Sequence, residues 1–266
     1  MTESANAYFE HTAVHNRYRS TELTTGAWND SEMHIAPVIG LIVHAAEREH
    51  ASNHETPLML TRLSVDILGT IPLGELDLQI TTLRPGKTIE LIEVVVSPAD
   101  ARPAAVARIW FSANFDTASL ANSDCFAPIT PREKCQEVDP AKAWKGGFVR
   151  SLTFWGAPVS ETEKDVWLHT STDIVAGENT SATARLLGVC DSTNGVSTRL
   201  NPAEVAFPNI DLTAHLFRAP AGSHLGARAR SAVGPAGHGL NQTVLYDDEG
   251  AFGILAQQLT VRPFKA

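Results

Sequence analysis

Between Ile35 and Glu49 the apolar residues Ile35, Val38, Ile39, Ile42 and Val43 recur at helical spacing, and Ala45 and Ala46 continue the pattern. Charges gather only at its end, at Glu47, Arg48 and Glu49, so the segment predicts one helix, apolar over most of its surface. Pro37 lies near the start, where a residue without an N–H costs little. The period then shortens. Residues 57–68, 75–83, 88–97 and 104–113 predict strands, punctuated by Leu73-Gly74, Pro85-Gly86 and Ala99-Asp100. From Asp116 to about Lys145 the chain is polar, carries Pro128, Pro131 and Pro140, and keeps no period, as a linker would. Beyond it, 148–154 and 165–170 read as strands and 181–191 as a second helix, with Asn179 or Thr180 as N-cap. Four more strand-like runs follow, near 209–217, 224–231, 240–246 and 251–261.

The two halves share punctuation. Pro72 and Pro220, Gly74 and Gly222, Gly86 and Gly234, and Asp100 and Asp248 all stand at one constant offset. Each marks a strand boundary that must recur if the fold recurs. The expectation is an α+β chain in which one helix and an antiparallel sheet are made twice. Residues 1–115 would be the first unit, 116–145 the linker, and 146–266 the second unit, carrying the candidate site.

Composition narrows the function. A 266-residue chain that is 43% hydrophobic can bury two ordinary cores. Cys125, Cys135 and Cys190 form no CxxC pair and read as free thiols of a reducing, cytoplasmic compartment. No basic leader and no apolar run of about 18 residues predicts targeting or membrane insertion. A net charge of -9 argues against a nucleic-acid partner. A phosphate-bearing coenzyme stays open, with Arg218, Arg228 and Arg230 as candidates on charge.

Several chemistries lack their signatures. There is no Gly-x-Ser-x-Gly, no Gly-x-Gly-x-x-Gly and no P-loop. His11 with His15, and His50 with His54, are spaced four apart, but neither pair has the Glu of His-Glu-x-x-His. They read as solvated loop residues, so no metal and no cofactor is expected. Three other features carry chemistry. In the alternating run 209–216, Asn209, Asp211, Thr213 and His215 share one strand face. Asp191 closes an apolar helix, where an acid meets the negative end of the dipole. Gln257 and Gln258 are neighbours in an apolar strand, so one of them points inward, and parity alone does not choose. Asp191, an inward Gln and Asn209 could hold and activate a water.

These residues resemble a family. Trp167-Leu168, Val175 to Glu178, Asp191 to Ser197, Asn209 to Thr213, the Arg218-to-Gly222 turn, Asp247 to Gly250 and Ala256-Gln257-Gln258 are similar to acyl-CoA thioesterases of the type II, double-hotdog kind. The resemblance implies a tandem double hotdog, each unit a long helix wrapped by an antiparallel sheet. It implies hydrolysis of acyl-CoA by a water held at Asp191, Gln258 and Asn209; counting from Gly250 favours Gln258 over Gln257. Asn209 stands where a Thr is usual. His34, Asp211, Thr213 and Arg218 are the expected substrate contacts. The first half has His34-Ile35-Ala36-Pro37 in place of a His-Gly-Gly phrase, and Gly69-Thr70 in place of Arg-Pro, so it is expected to carry no productive site. A homo-oligomer is expected, since such sheets pair through exposed faces. Two alternatives remain: an acyl-CoA binding protein without turnover, and a hotdog enoyl-CoA hydratase.

Overall fold

The structure is a computed structural model, and it describes residues 6–160, 163–197 and 200–264. In the first half, strands β1 (Ala7–His11) and β2 (Arg17–Ser20) precede the long helix α1 (Ile35–Asn53). Four strands follow, β3 (Met59–Ile67), β4 (Glu75–Arg84), β5 (Ile89–Pro98) and β6 (Ala105–Ser112). The second half opens with β7 (Gln136–Glu137), a short helix α2 (Gly147–Arg150), β8 (Thr153–Pro158), β9 (Glu163–His169) and β10 (Asp173–Val175). Helices α3 (Ala182–Leu187) and α4 (Thr193–Ser197) come next. They lead into β11 (Val205–Ala206), β12 (Asp211–Leu216), β13 (His224–Val233), β14 (His238–Asp247), β15 (Gly250–Thr260) and β16 (Arg262–Pro263).

Among the described residues, fourteen strands form one sheet in the order β10-β1-β2-β4-β5-β6-β3-β12-β15-β14-β13-β9-β8-β7. Its middle is the antiparallel pair β3–β12, and the order on either side mirrors the other. The strands repeat nearly in step with the turns: β4 and β13 start at Glu75 and His224, and β5 and β14 at Ile89 and His238, so both pairs share one spacing, a single residue longer than that of the turns. Gly74 and Gly222 both hold positive φ, which explains why a glycine recurs there. One strand crosses over: β10, from the second half, pairs in parallel with β1. Nearly all strand neighbours are antiparallel; α1 lies against β4 and β5 of the first half, and α4 against β9, β13 and β14 of the second.

α1 is buried through most of its length, from Ala36 to Ala46, which is why it is apolar nearly all round. It meets α3 at a glycine pair: a Cβ on Gly40 would stand 3.2 Å from the Gly188 Cα, and one on Gly188 would stand 3.1 Å from the Gly40 Cα. These two glycines keep the same offset as the paired turn residues, so the helices cross at equivalent points. No helix among the described residues is long and apolar enough to cross a membrane.

Three expected elements differ. Residues 148–154 begin as α2 rather than as a strand, because Gly146 takes a positive φ and starts a turn at Gly147. The second helix breaks after Leu187: Gly188 caps α3, and a 3-10 turn at Cys190–Ser192 leads into α4. Asp191 therefore sits in a joint between two short helices, not at the end of a long one. His50 and His54 are not loop residues; His50 lies buried in the last turn of α1 and His54 caps that helix.

Candidate active site

Asp191 is buried, with 5% of its surface exposed, and its surroundings come from separate elements. Asn209, just before β12, donates from Nδ2 to Asp191 Oδ1 at 2.8 Å, and Gln257 on β15 donates from Nε2 to the same oxygen at 2.9 Å. Oδ1 is thus committed to two amides. The second oxygen, Oδ2, faces His34, the N-cap of α1, at 3.7 Å from Nδ1. That contact is not an ion pair. His34 Nδ1 accepts the Ala36 N–H at 3.1 Å, so the ring proton sits on Nε2, and burial lowers the His34 pKa to about 4. Burial also raises the Asp191 carboxyl to about 6, against the opposing pull of the Asn209 and Gln257 hydrogen bonds. A carboxylate poised just below neutral pH suits proton transfer.

The partner amide is Gln257 and not Gln258. Counting along β15 from Gly250 fails by one because the β14–β15 ladder bulges: Leu245 pairs with Gly253 and Tyr246 with Ala251, leaving Phe252 unpaired. The extra residue turns Gln257 inward, where it is 0% exposed between Leu255 and Leu259, and turns Gln258 to the other face. Gln258 gives its backbone N–H to Asp211 Oδ1 at 2.6 Å.

Asp191, Asn209 and His34 line one cavity of about 410 Å³ that lies between the two halves. Gln257 stands behind Asp191, outside that wall. Trp28, Trp144 and Phe207 form an aromatic group at one side of the cavity, pairwise edge-on with centroids 5.0, 5.3 and 5.7 Å apart. Pro37 has no N–H and Ala36 gives its own to His34, which leaves the Ile35 amide as the uncommitted donor at the positive end of α1.

The other expected substrate contacts lie elsewhere. Asp211 and Thr213 are on the outer face of β12, opposite buried Leu212 and Ala214. Arg218 is bound to the buried Asp247 through both terminal nitrogens, at 2.7 and 2.6 Å. Arg228 is likewise held at two points on Asp165, and Arg230 on Gln242. The strand periodicity could separate the two faces of β12, but it carried no sign of which face lines the cavity.

The network behind Gln257 escaped the sequence reading. Asn241 on β14, 0% exposed, donates to Gln257 Oε1 at 2.8 Å, and the Thr193 hydroxyl donates to it at 3.3 Å. The signal was an inverted alternation: in β14 Asn241 and Thr243 are buried while Leu240 is 46% exposed.

One cluster brings metal-ligand types together among the described residues, His50, His54 and Glu90, with ligand atoms within 4.8 Å. Its proton arrangement fits a hydrogen-bonded clip better. His50 Nε2 accepts the Leu58 N–H at 2.7 Å, so Nδ1 carries the proton that it gives to Glu90, and His54 adds a second contact at 3.1 Å.

Comparison with known proteins places both halves. The family description "Acyl-CoA thioesterase N-terminal domain" matches residues 24–112, and "Acyl-CoA thioesterase C-terminal domain" matches residues 132–261. Among solved structures, a candidate thioesterase from Novosphingobium aromaticivorans superposes with a TM-score of 0.73 at 17% identity, over 95% of this chain and 98% of the other. A hot-dog protein of unknown function from Alicyclobacillus acidocaldarius gives 0.71 at 12% identity, over 97% and 96%. The acyl-CoA thioesterase II TesB2 of Mycobacterium marinum gives 0.69 at 11% identity, over 96% of both chains. Dehydratase domains lie further off, at 0.56 and 0.54. No curated protein matches the sequence. The fold is the expected tandem hotdog.

Proposed function

Because this chain belongs to the acyl-CoA thioesterase family, which matches it in both halves, we propose that it hydrolyses an acyl-CoA thioester with Asp191 as the general base. The observation that carries the reading is the division of labour on the Asp191 carboxylate. Oδ1 is saturated by the amides of Asn209 and Gln257, while Oδ2 is turned to the cavity. A water on Oδ2 loses its proton to Asp191 as its oxygen attacks the thioester carbon. The carbonyl oxygen becomes an oxyanion beside the Ile35 N–H and the positive end of α1. Collapse breaks the carbon–sulfur bond, and Asp191 returns the proton to the departing CoA thiolate. The products are the free acid and CoA.

His34 serves here as a neutral cap that keeps the end of α1 in place beside Asp191. The aromatic group of Trp28, Trp144 and Phe207 offers an apolar wall for the acyl or pantetheine chain. The first half would lack a site of this kind: at the repeat offset, buried Val43 and Ile109 take the places that Asp191 and Gln257 hold in the second half.

A second reading has one observation in its favour. His34 and Asp191 are 3.7 Å apart, and dehydratase domains share the fold, so a hydratase or dehydratase acting on a thioester is the rival. Against it, His34 Nδ1, the nitrogen nearest Asp191, is committed to Ala36. One experiment separates them. A panel of saturated acyl-CoAs and one enoyl-CoA is offered, with free thiol and enoyl absorbance followed together. Thiol release from saturated substrates, lost in Asp191→Ala, supports hydrolysis. Hydration of the enoyl group without thiol release would replace it with the rival.

A further inference from the structure

The Gln257 side chain can face Asp191 in two ways, with its N–H₂ or with its carbonyl oxygen, and only the first stabilises an ionised Asp191. Nothing on the Asp191 side fixes that choice while the carboxyl is protonated. The choice is made from behind. Asn241 Nδ2 lies 2.8 Å from Gln257 Oε1, 3.2 Å from the Thr193 hydroxyl and 3.4 Å from the Thr243 hydroxyl. The Thr193 hydroxyl in turn donates to Gln257 Oε1 at 3.3 Å. Two donors from β14 and α4 therefore meet the Gln257 oxygen, and its N–H₂ is left pointing at Asp191 Oδ1, 2.9 Å away.

We propose that Asn241, assisted by Thr193, is a positioning residue that holds the Gln257 amide with its N–H toward Asp191. This rests on the reading of Asp191 as the base. Gln257, Asn241 and Thr193 are all fully buried, so bulk water does not stand in for a missing donor. The first half supports a specific role. Its inward positions on the paired strands are apolar, Ile92 opposite Ile109, where the second half pairs Asn241 with Gln257. A core of this fold packs without polar groups at that pair, so packing does not require Asn241. A buried amide pair is costly unless each member is satisfied.

Asp191 is faced by His34 from α1, by the Cys190 thiol beside it, and by the neutral amides of Asn209 and Gln257. His34 is neutral above about pH 4, and burial holds the Cys190 thiol far up its range, so neither titrates with Asp191. A change in the Asp191 titration thus reports the amides.

The test uses the full chain with Asn241→Leu, Thr193→Val, Gln257→Leu and the double variant Asn241→Leu/Gln257→Leu. Thiol release from acyl-CoA gives kcat and KM across pH, and infrared difference spectra follow the Asp191 carboxyl directly. Asn241→Leu is expected to lower kcat about tenfold with KM unchanged, and to move the acid limb and the carboxyl titration upward together. In the Gln257→Leu background it should add nothing, because it acts through Gln257. If Asn241→Leu does not fold, Thr193→Val carries the same expectation with a smaller shift. An unmoved Asp191 titration in a folded variant, or losses that multiply in the double variant, would overturn the proposal. If the wild type releases no thiol from any acyl-CoA, the thioesterase reading fails, while the infrared titration still decides whether Asn241 governs Asp191.

Discussion

Of two adjacent glutamines, only Gln257 should disturb the site when exchanged for leucine. Gln257→Leu removes one of the two donors on Asp191 Oδ1, leaving Asn209 alone at 2.8 Å. A hydrogen bond to a charged group contributes about 1.5–3 kcal/mol, and one pH unit corresponds to about 1.4 kcal/mol. The Asp191 carboxyl, at about 6 in the intact site, should therefore move up by about one to two pH units. The base works only when ionised, so kcat/KM at pH 7 should fall, and much of the loss should return near pH 9. The variant also leaves Asn241 and Thr193 without this acceptor, at a cost of about 1–3 kcal/mol in stability. Gln258→Leu touches none of this, because its side chain lies on the other face of β15 and its role is the backbone contact to Asp211. Thiol-release assays across pH, with urea melts of each protein, read both effects. If Gln258→Leu moves the acid limb and Gln257→Leu does not, the assignment of the inward amide is wrong.

Asp191→Asn should lose turnover yet gain stability at neutral pH. Its folded pKa of about 6 lies above the ordinary 3.8, so the stability it contributes is full below pH 3.8 and is lost as pH rises through 6; removing the charge returns about 3 kcal/mol at pH 7 to 8 and nothing at pH 3.5, as thermal melts at both pH values would show. Arg218→Ala should destabilise by about 3 kcal/mol by stranding the buried Asp247, and should leave KM for acyl-CoA unchanged; a raised KM in the folded variant would return Arg218 to the substrate. Gly188→Ala should cost about 1–3 kcal/mol, since the new Cβ would stand 2.7 Å from the Ala184 carbonyl oxygen and press on Gly40; an unchanged melting temperature would show that the helix crossing is looser than described.

The repeat was legible because turns tolerate few residues. Gly74 and Gly222 share a positive φ, and the other paired prolines and glycines bound the same strands in each half. α1 and strands β3 to β6 were legible from their periods, since each buries one continuous face. β1, β2 and β10 were not. They are short, and β1 is held by β10 from the second half, a partner that no local pattern announces. Asp191 could be singled out as an acid closing an apolar run, whereas Asn209 was one of four polar residues on a strand face and was picked out by the family resemblance. Gln257 could not, because the bulge at Phe252 changes parity without leaving a mark in composition. Asn241 did leave one, the inverted alternation of β14, where a polar inward position means that something inside requires it. For Asp211, Thr213 and Arg218 the pattern carried no sign of direction: a polar strand face can be solvated, and an arginine can be committed to a buried acid.

In the proposed reaction the ionised Asp191 carboxylate, with Oδ1 held by two amides and Oδ2 turned to the cavity, activates water against an acyl-CoA thioester. Single-turnover hydrolysis of acyl-CoA in ¹⁸O-labelled water, by the wild type and by Asp191→Ala, is the decisive measurement. One ¹⁸O in the released acid, an acid limb near pH 6 in the wild type, and loss of the reaction in the variant are expected. Hydrolysis by Asp191→Ala at the wild-type rate would contradict it.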